Sequence, residues 1–127
     1  MVGRQLLRTM IFGLFSIRAA TGHHGAAGYD MESLVTLKAS VTNFRWANPH
    51  AVIEFEVDET AGGNVQWMAE TAAPVMLTRA GWDKNALTSG EKVSIIGHPA
   101  KNGSHTMILQ SITKSDGRVL SSYLPAK

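Results

Sequence analysis

The chain of 127 residues contains no cysteine. This absence excludes a disulfide framework, a thiolate zinc site, an iron–sulfur cluster and a cysteine nucleophile. The sequence also lacks the Gly-x-Ser-x-Gly elbow, a phosphate-binding loop, a His-Glu-x-x-His motif and a dinucleotide fingerprint. A hydrolase of a standard type is therefore not expected, and the length limits the chain to one domain.

Charged residues are few, at 17% of the sequence, and nearly balanced, with 12 Lys and Arg against 10 Asp and Glu. Three of the basic residues, Arg4, Arg8 and Arg18, lie in the first 22 positions, which hold no acidic residue. Without these positions the chain has nine basic and ten acidic residues. The slight positive excess is thus a property of the N-terminus, and no nucleic-acid partner is expected.

The first 22 residues have the three parts of a secretory signal peptide. Arg4 and Arg8 form a basic start, positions 6–17 are mostly apolar, and small residues at 19–22 provide a cleavage site. The apolar part is too short for a permanent membrane span, and no cysteine follows it for a lipid anchor. We expect a periplasmic or secreted protein with no stable membrane anchor after cleavage. Arg18 lies between the apolar run and the expected cleavage site, which is atypical of a signal peptide. An N-terminal amphipathic helix is therefore the alternative interpretation.

Apolar and polar residues alternate from position 34 to position 42, which is typical of a strand with one buried face. Similar patterns predict four further strands, which lie at 51–57, 65–70, 92–97 and 105–114. Pro74 and Gly81 bracket a short helix between the third and fourth strands. This order predicts a mainly β domain, a small five-stranded OB-like barrel with one short helix between strands 3 and 4. An open sheet or sandwich crossed by the helix is the alternative.

The barrel domain is expected to span residues 34–118, after a flexible arm at 23–33 and before a tail at 119–127. Its core is predicted from the inward-facing positions of the strands. The expected buried residues are Ile53, Phe55, Val93, Ile95, Met107 and Leu109, with Val75 or Leu77 of the helix closing the barrel.

Histidines carry the main indication of chemistry. His23 and His24 stand at the expected start of the mature chain, and His50 lies at the turn between strands 1 and 2. Cleavage after Gly22 leaves the amine and imidazole of His23 free to chelate one metal together. Cleavage after Ala20 leaves an amine, two backbone amides and an imidazole for a square-planar site. Both arrangements favour copper(II) as the cofactor; the alternative is a solvated histidine pair near a chain end.

Aromatic residues indicate a second kind of site. Trp46 ends the first strand, and Trp67 and Glu70 lie in the third. These three are the candidate small-ligand residues on the rim of the barrel, since OB-like barrels often bind ligands by stacking. Core packing is the alternative for the two tryptophans. His98 and His105 flank the last hairpin and are expected at the surface.

Several segments resemble a family of small exported bacterial proteins classified as a domain of unknown function. They are His23-His24, Tyr29-Asp30, the run 41–51 with its Asn48-Pro49-His50 turn, Trp67 with Glu70, and the segments 79–82, 90–93 and 97–104. The resemblance covers roughly residues 23–118, and the His-His start and the Asn-Pro-His turn are its most specific parts. It implies a secreted or periplasmic small β-barrel and supplies no activity.

Two classes of function follow. The first is a binding module that holds copper or another transition metal through His23, His24 and His50, or a small ligand without metal. The second is a copper-dependent oxidative enzyme, in which an N-terminal histidine chelate and His50 form the site. Such an enzyme needs open coordination positions in a rigid site, and a glycine-rich arm argues against this rigidity. A binding module is therefore expected.

We expect the mature chain to begin between Ala20 and His23. Mass spectrometry of the protein purified from the native cell envelope tests this, because signal peptidase removes the leader during export. A chain in that fraction that keeps Met1 contradicts the export prediction and removes the amine ligand.

Overall fold

The strands and the helix follow the predicted order. The computed structural model describes residues 25–59 and 62–122. Its elements, after a 3-10 turn at Ala26–Gly28, are β1 (Val35–Arg45), β2 (Val52–Glu59), β3 (Gly63–Glu70), α1 (Pro74–Arg79), β4 (Lys92–Pro99), β5 (Thr106–Lys114) and β6 (Val119–Ser121). Within the described ranges, no helix is long and apolar enough to cross a membrane.

Five strands form a closed barrel because one parallel contact joins the two ends of the sheet. The strand order is β3-β2-β1-β4-β5, and residues 68–70 of β3 pair in parallel with residues 106–108 of β5. Strand β1 is long enough to pair with β4 through its first half and with β2 through its second half. This topology, with α1 between β3 and β4, confirms the OB-like barrel.

The interior is apolar and contains the predicted core. All six predicted strand residues are buried, namely Ile53, Phe55, Val93, Ile95, Met107 and Leu109. Of the two helical candidates, Leu77 is fully buried and packs in the core, whereas Val75 is 58% exposed. Leu77 is therefore the residue with which α1 closes the barrel.

Helix α1 begins and ends as its local sequence requires. Pro74 lies in its first turn, where a missing N–H costs no hydrogen bond. Gly81 adopts a φ of +90°, a left-handed conformation that glycine tolerates, and the Trp82 N–H then donates to the Leu77 carbonyl at 2.9 Å. This turn places Trp82 in the core, where its indole Nε1–H donates to the Ser121 carbonyl at 2.8 Å.

The described part of the arm is bound to the barrel. Tyr29 forms a β-bridge with Ala100, and the Asp30 N–H donates to the Pro99 carbonyl at 2.8 Å. The Lys101 N–H donates to the Gly28 carbonyl at 2.9 Å. Residues 28–30 of the arm, which was predicted as flexible, therefore lie against residues 99–101 at the end of β4; the preceding residues 23 and 24 of the arm lie outside the described ranges.

A hydrogen-bonded turn connects the arm to β1. The Asp30 carboxylate accepts from the Ser33 hydroxyl at 2.7 Å and from the Glu32 N–H at 3.2 Å. The bond from Ser33, followed by that from Glu32, holds the pKa of Asp30 below its ordinary value. The ionised form therefore stabilises the turn, and this contribution is lost as the pH falls below the ordinary aspartate range.

The chain after position 118 adds a strand that the sequence analysis assigned to a tail. Strand β6 pairs with β5. Ser122, which follows it, is 2% exposed and accepts the Ala72 N–H through its hydroxyl at 3.2 Å. Three residues are too few to show an alternation of polar and apolar residues. The sequence pattern therefore does not indicate this strand, which forms by pairing with β5.

Replacing Phe55 by alanine is expected to lower the free energy of unfolding by about 3 to 5 kcal/mol, because the fully buried ring leaves a cavity. Urea denaturation measures this loss. Val119→Ala is the control. Because Val119 is 63% exposed, this substitution should change the free energy of unfolding by about 0.5 kcal/mol or less. A loss below about 1 kcal/mol for Phe55→Ala contradicts the packing described.

Candidate functional site

His50 lies at the surface beside a carboxylate. Its side chain is 42% exposed, and its Nδ1 atom contacts Oε1 of Glu70, whose side chain is 27% exposed. The peptide bond between Asn48 and Pro49, directly before His50, is cis. The two residues that the sequence analysis assigned to different sites, metal and small ligand, thus form one pair.

Strand register brings this pair together. Val52 pairs with Glu70, and the ladder continues through Ala51, whose N–H donates to the Ala72 carbonyl at 3.2 Å. Because side chains alternate along a strand, His50 projects to the same outer face as Val52 and Glu70. His50 and Glu70 are diagonal neighbours on that face, a separation that long side chains bridge.

Buried hydrogen bonds hold the backbone below the pair. The Ala51 carbonyl accepts the Thr71 N–H at 3.0 Å and the Thr71 hydroxyl at 2.9 Å. Ala51 is 0% exposed and Thr71 is 6% exposed. Buried polar groups are normally hydrogen-bonded. These two bonds join Ala51 and Thr71, the residues that directly follow His50 and Glu70.

The predicted aromatic rim is divided between two parts of the barrel. Trp46 meets Phe44 edge to face, with ring centroids 5.8 Å apart, and Phe44 in turn lies 5.9 Å from Trp82. Trp67 instead stacks on Phe55 at 6.3 Å and on His105 at 5.0 Å. Within the described ranges no ring contact joins these two groups.

Trp67 and Glu70 also project to opposite sides of β3. Trp67 is paired with the buried Phe55, and Ala69, two positions along, is fully buried. Glu70, at the other parity, lies on the outer face. The structure therefore brings Glu70 to His50 and not to the tryptophans.

The two hairpin histidines have different partners. His98 places its Nδ1 atom 2.8 Å from the Ser33 carbonyl oxygen, so its N–H binds the turn that leads into β1. His105 is exposed and stacks on Trp67. Within the described ranges, the buried Nε1–H of Trp67 has no hydrogen-bond acceptor.

An open groove of about 690 Å³, for which no expectation was derived from the sequence, is lined by residues of all five barrel strands, most of them polar. Within it, Lys92 donates to the Ser40 hydroxyl at 2.5 Å. Glu56 accepts hydrogen bonds from the side-chain amides of Asn64 and Gln66. Alternating polar residues on the strands were its only sequence signal, and these are typical of any solvated sheet face.

The sequence profile of a family of unknown function, DUF6152, matches residues 14–110. The chain belongs to the DUF6152 family. No curated protein matches the sequence. The DUF6152 match includes His23, His24, His50 and Glu70.

The described part of this DUF6152 domain places an imidazole and a carboxylate, two side-chain types that can bind metals, at the candidate site. Within the described ranges, no group of three or more His, Asp or Glu side chains is close enough to hold a metal. His23 and His24, the other predicted ligands, lie outside these ranges.

Replacing Thr71 by valine keeps the shape of the side chain and removes the hydroxyl that binds the Ala51 carbonyl. We expect the free energy of unfolding, measured in urea, to fall by about 1 to 2 kcal/mol. Thr78→Val is the matched control, because the exposed Thr78 hydroxyl also donates to a carbonyl, that of Pro74 at 2.9 Å; there we expect about 0.5 kcal/mol or less. Equal losses at both positions contradict a special role for the Thr71 hydroxyl.

Proposed function

We propose that this DUF6152 protein is an exported binding module that holds one copper ion, or a related transition metal, through His23, His24 and His50. The proposal depends on one observation: the imidazole of His50 is exposed and lies next to Glu70. Buried hydrogen bonds between Ala51 and Thr71 hold the backbone beside this pair. Imidazole is a common metal ligand, and rigid placement of a ligand reduces the ordering that binding requires.

The set of donors favours copper. Cleavage near Gly22 adds an N-terminal amine to the imidazoles of His23 and His24, so the site is rich in nitrogen. Nitrogen ligands suit copper(II), which also stands highest among the divalent metals in the general order of affinity. The absence of cysteine from the chain leaves no thiolate to favour copper(I) or a structural zinc ion.

The arm is attached to the barrel close to the predicted N-terminal ligands. Tyr29 bridges to Ala100, and the Ala100 N–H donates to the Thr106 carbonyl at 3.0 Å. His23 and His24 precede Tyr29 by six and five positions. The attachment of Tyr29 supports the proposal because only a short segment separates the two histidines from the barrel that carries His50.

Copper titration of the mature protein, purified from the periplasm, tests the proposal. One copper(II) per chain with a nitrogen-rich electron spin resonance spectrum is expected. His23→Ala is expected to weaken binding, and His50→Ala to weaken it about tenfold or more, because both remove a ligand. His105→Ala removes an exposed imidazole from the Trp67 stack and should leave the affinity unchanged.

Two controls address the N-terminal amine and the protonation of the ligands. A chain whose N-terminal amine is acetylated should bind more weakly, because the resulting amide is no longer an amine ligand. Affinity should also fall as the pH is lowered through about 6.5, where imidazoles ordinarily gain a proton. Full uptake by the His23→Ala/His24→Ala variant, or no uptake by the processed wild type, contradicts the proposal and leaves a barrel that binds a ligand without metal.

A further inference from the structure

We infer that Glu70 is a positioning residue of the proposed metal site: its carboxylate accepts the Nδ1–H of His50, so that Nε2 is the atom that binds the metal. The inference rests on the proposed function and assigns to it one ligand atom and one supporting residue. From its sequence position, Glu70 was instead predicted to bind a small ligand together with Trp46 and Trp67.

The chemistry of imidazole decides which nitrogen of His50 is free to bind a metal. A neutral ring carries one N–H and one nitrogen lone pair, and the hydrogen bond made by one nitrogen decides which role is left for the other. Glu70 approaches Nδ1, and an ionised carboxylate only accepts hydrogen bonds. Nδ1 must therefore carry the proton, and the lone pair lies on Nε2.

Glu70 is held independently of His50. It pairs with Val52 of β2 on one side and with Ile108 of β5 on the other. The carboxylate therefore projects from a strand that is bonded along both edges. Such a fixed acceptor can orient the imidazole ring as well as select its tautomer.

An ordinary surface ion pair is the simpler reading of the same contact. Exposed pairs contribute little to stability, so the free energy of unfolding does not separate the two readings. The tautomer of His50 and the spectrum of the bound metal do separate them. Only a positioning role for Glu70 predicts that removing its charge changes the tautomer of His50 and the nitrogen signals of the bound metal.

The first experiment needs no metal. Nitrogen-15 NMR of the metal-free mature protein at pH 8 should show His50 with Nδ1 protonated and Nε2 unprotonated. In Glu70→Gln, the Nε2–H tautomer that dominates for imidazole in water should gain population, whereas Glu59→Gln, which removes the same charge from the end of β2, should leave the His50 signals unchanged. Wild-type His50 in the Nε2–H tautomer overturns the inference.

The second experiment is a double-mutant cycle with copper(II). Glu70→Gln should weaken binding about tenfold or more and alter the nitrogen hyperfine pattern of the spin resonance spectrum, while Glu59→Gln changes neither. In the His50→Ala background, Glu70→Gln should cause no further loss, because Glu70 acts through His50. A further loss in that background identifies Glu70 as a direct ligand and overturns its positioning role.

The outcomes separate this inference from the proposed function. If the processed wild type takes up no copper, the proposed function fails, while the NMR result still decides the Nδ1 contact. If the wild type binds copper and Glu70→Gln binds it equally well with the same spectrum, the function stands and the role of Glu70 is refuted. Circular dichroism and the unfolding curve of each variant show that it remains folded.

Discussion

A parallel contact of three residue pairs between β3 and β5 is the constraint on which the barrel depends. Without it, β3 and the first part of β5 are exposed margins of an open sheet, with unpaired backbone groups, since β6 pairs only with residues 111–113 of β5. With it, Ala69 and Met107 face a closed interior, and both are fully buried. The contact also holds Glu70 between two neighbouring strands, and so fixes the only carboxylate that contacts His50 within the described ranges.

The candidate site is consequently a product of sheet geometry. Glu70 belongs to the closing strand, and His50 lies just before β2, where Ala51 and Thr71 extend the ladder below it. The arm reaches the barrel through the same kind of bonds, at Gly28 and Asp30. The expectation of a flexible arm argued against an enzyme, and residues 28–30 of that arm are hydrogen-bonded to residues 99–101.

Most of the architecture could be read from short-range patterns. Alternation of polar and apolar residues predicted five strands and the six buried residues tested, since a half-buried strand requires that period wherever it occurs. Pro74 and Gly81 marked a helix because their backbone preferences are local. Strand β6 escaped detection, since its three residues gain their structure from β5 rather than from their own pattern. The hydrogen bonds of residues 28–30 in the arm were not predicted either, because their partners lie far along the chain, at residues 99–101.

Composition and residue order alone show which residue types are available for chemistry. The chain has no thiols, and it has histidines near the N-terminus and at the Asn48-Pro49 turn. Which of them meet is a question of register. Side chains alternate along β3, so Trp67 lies on its inner side and Glu70, three positions later, lies on its outer side. On the outer face, Glu70 is the diagonal neighbour of His50, which precedes β2, and contacts it. Residues 20 positions apart in the chain carry no local signal of such a contact, because it is the pairing of whole strands that determines it.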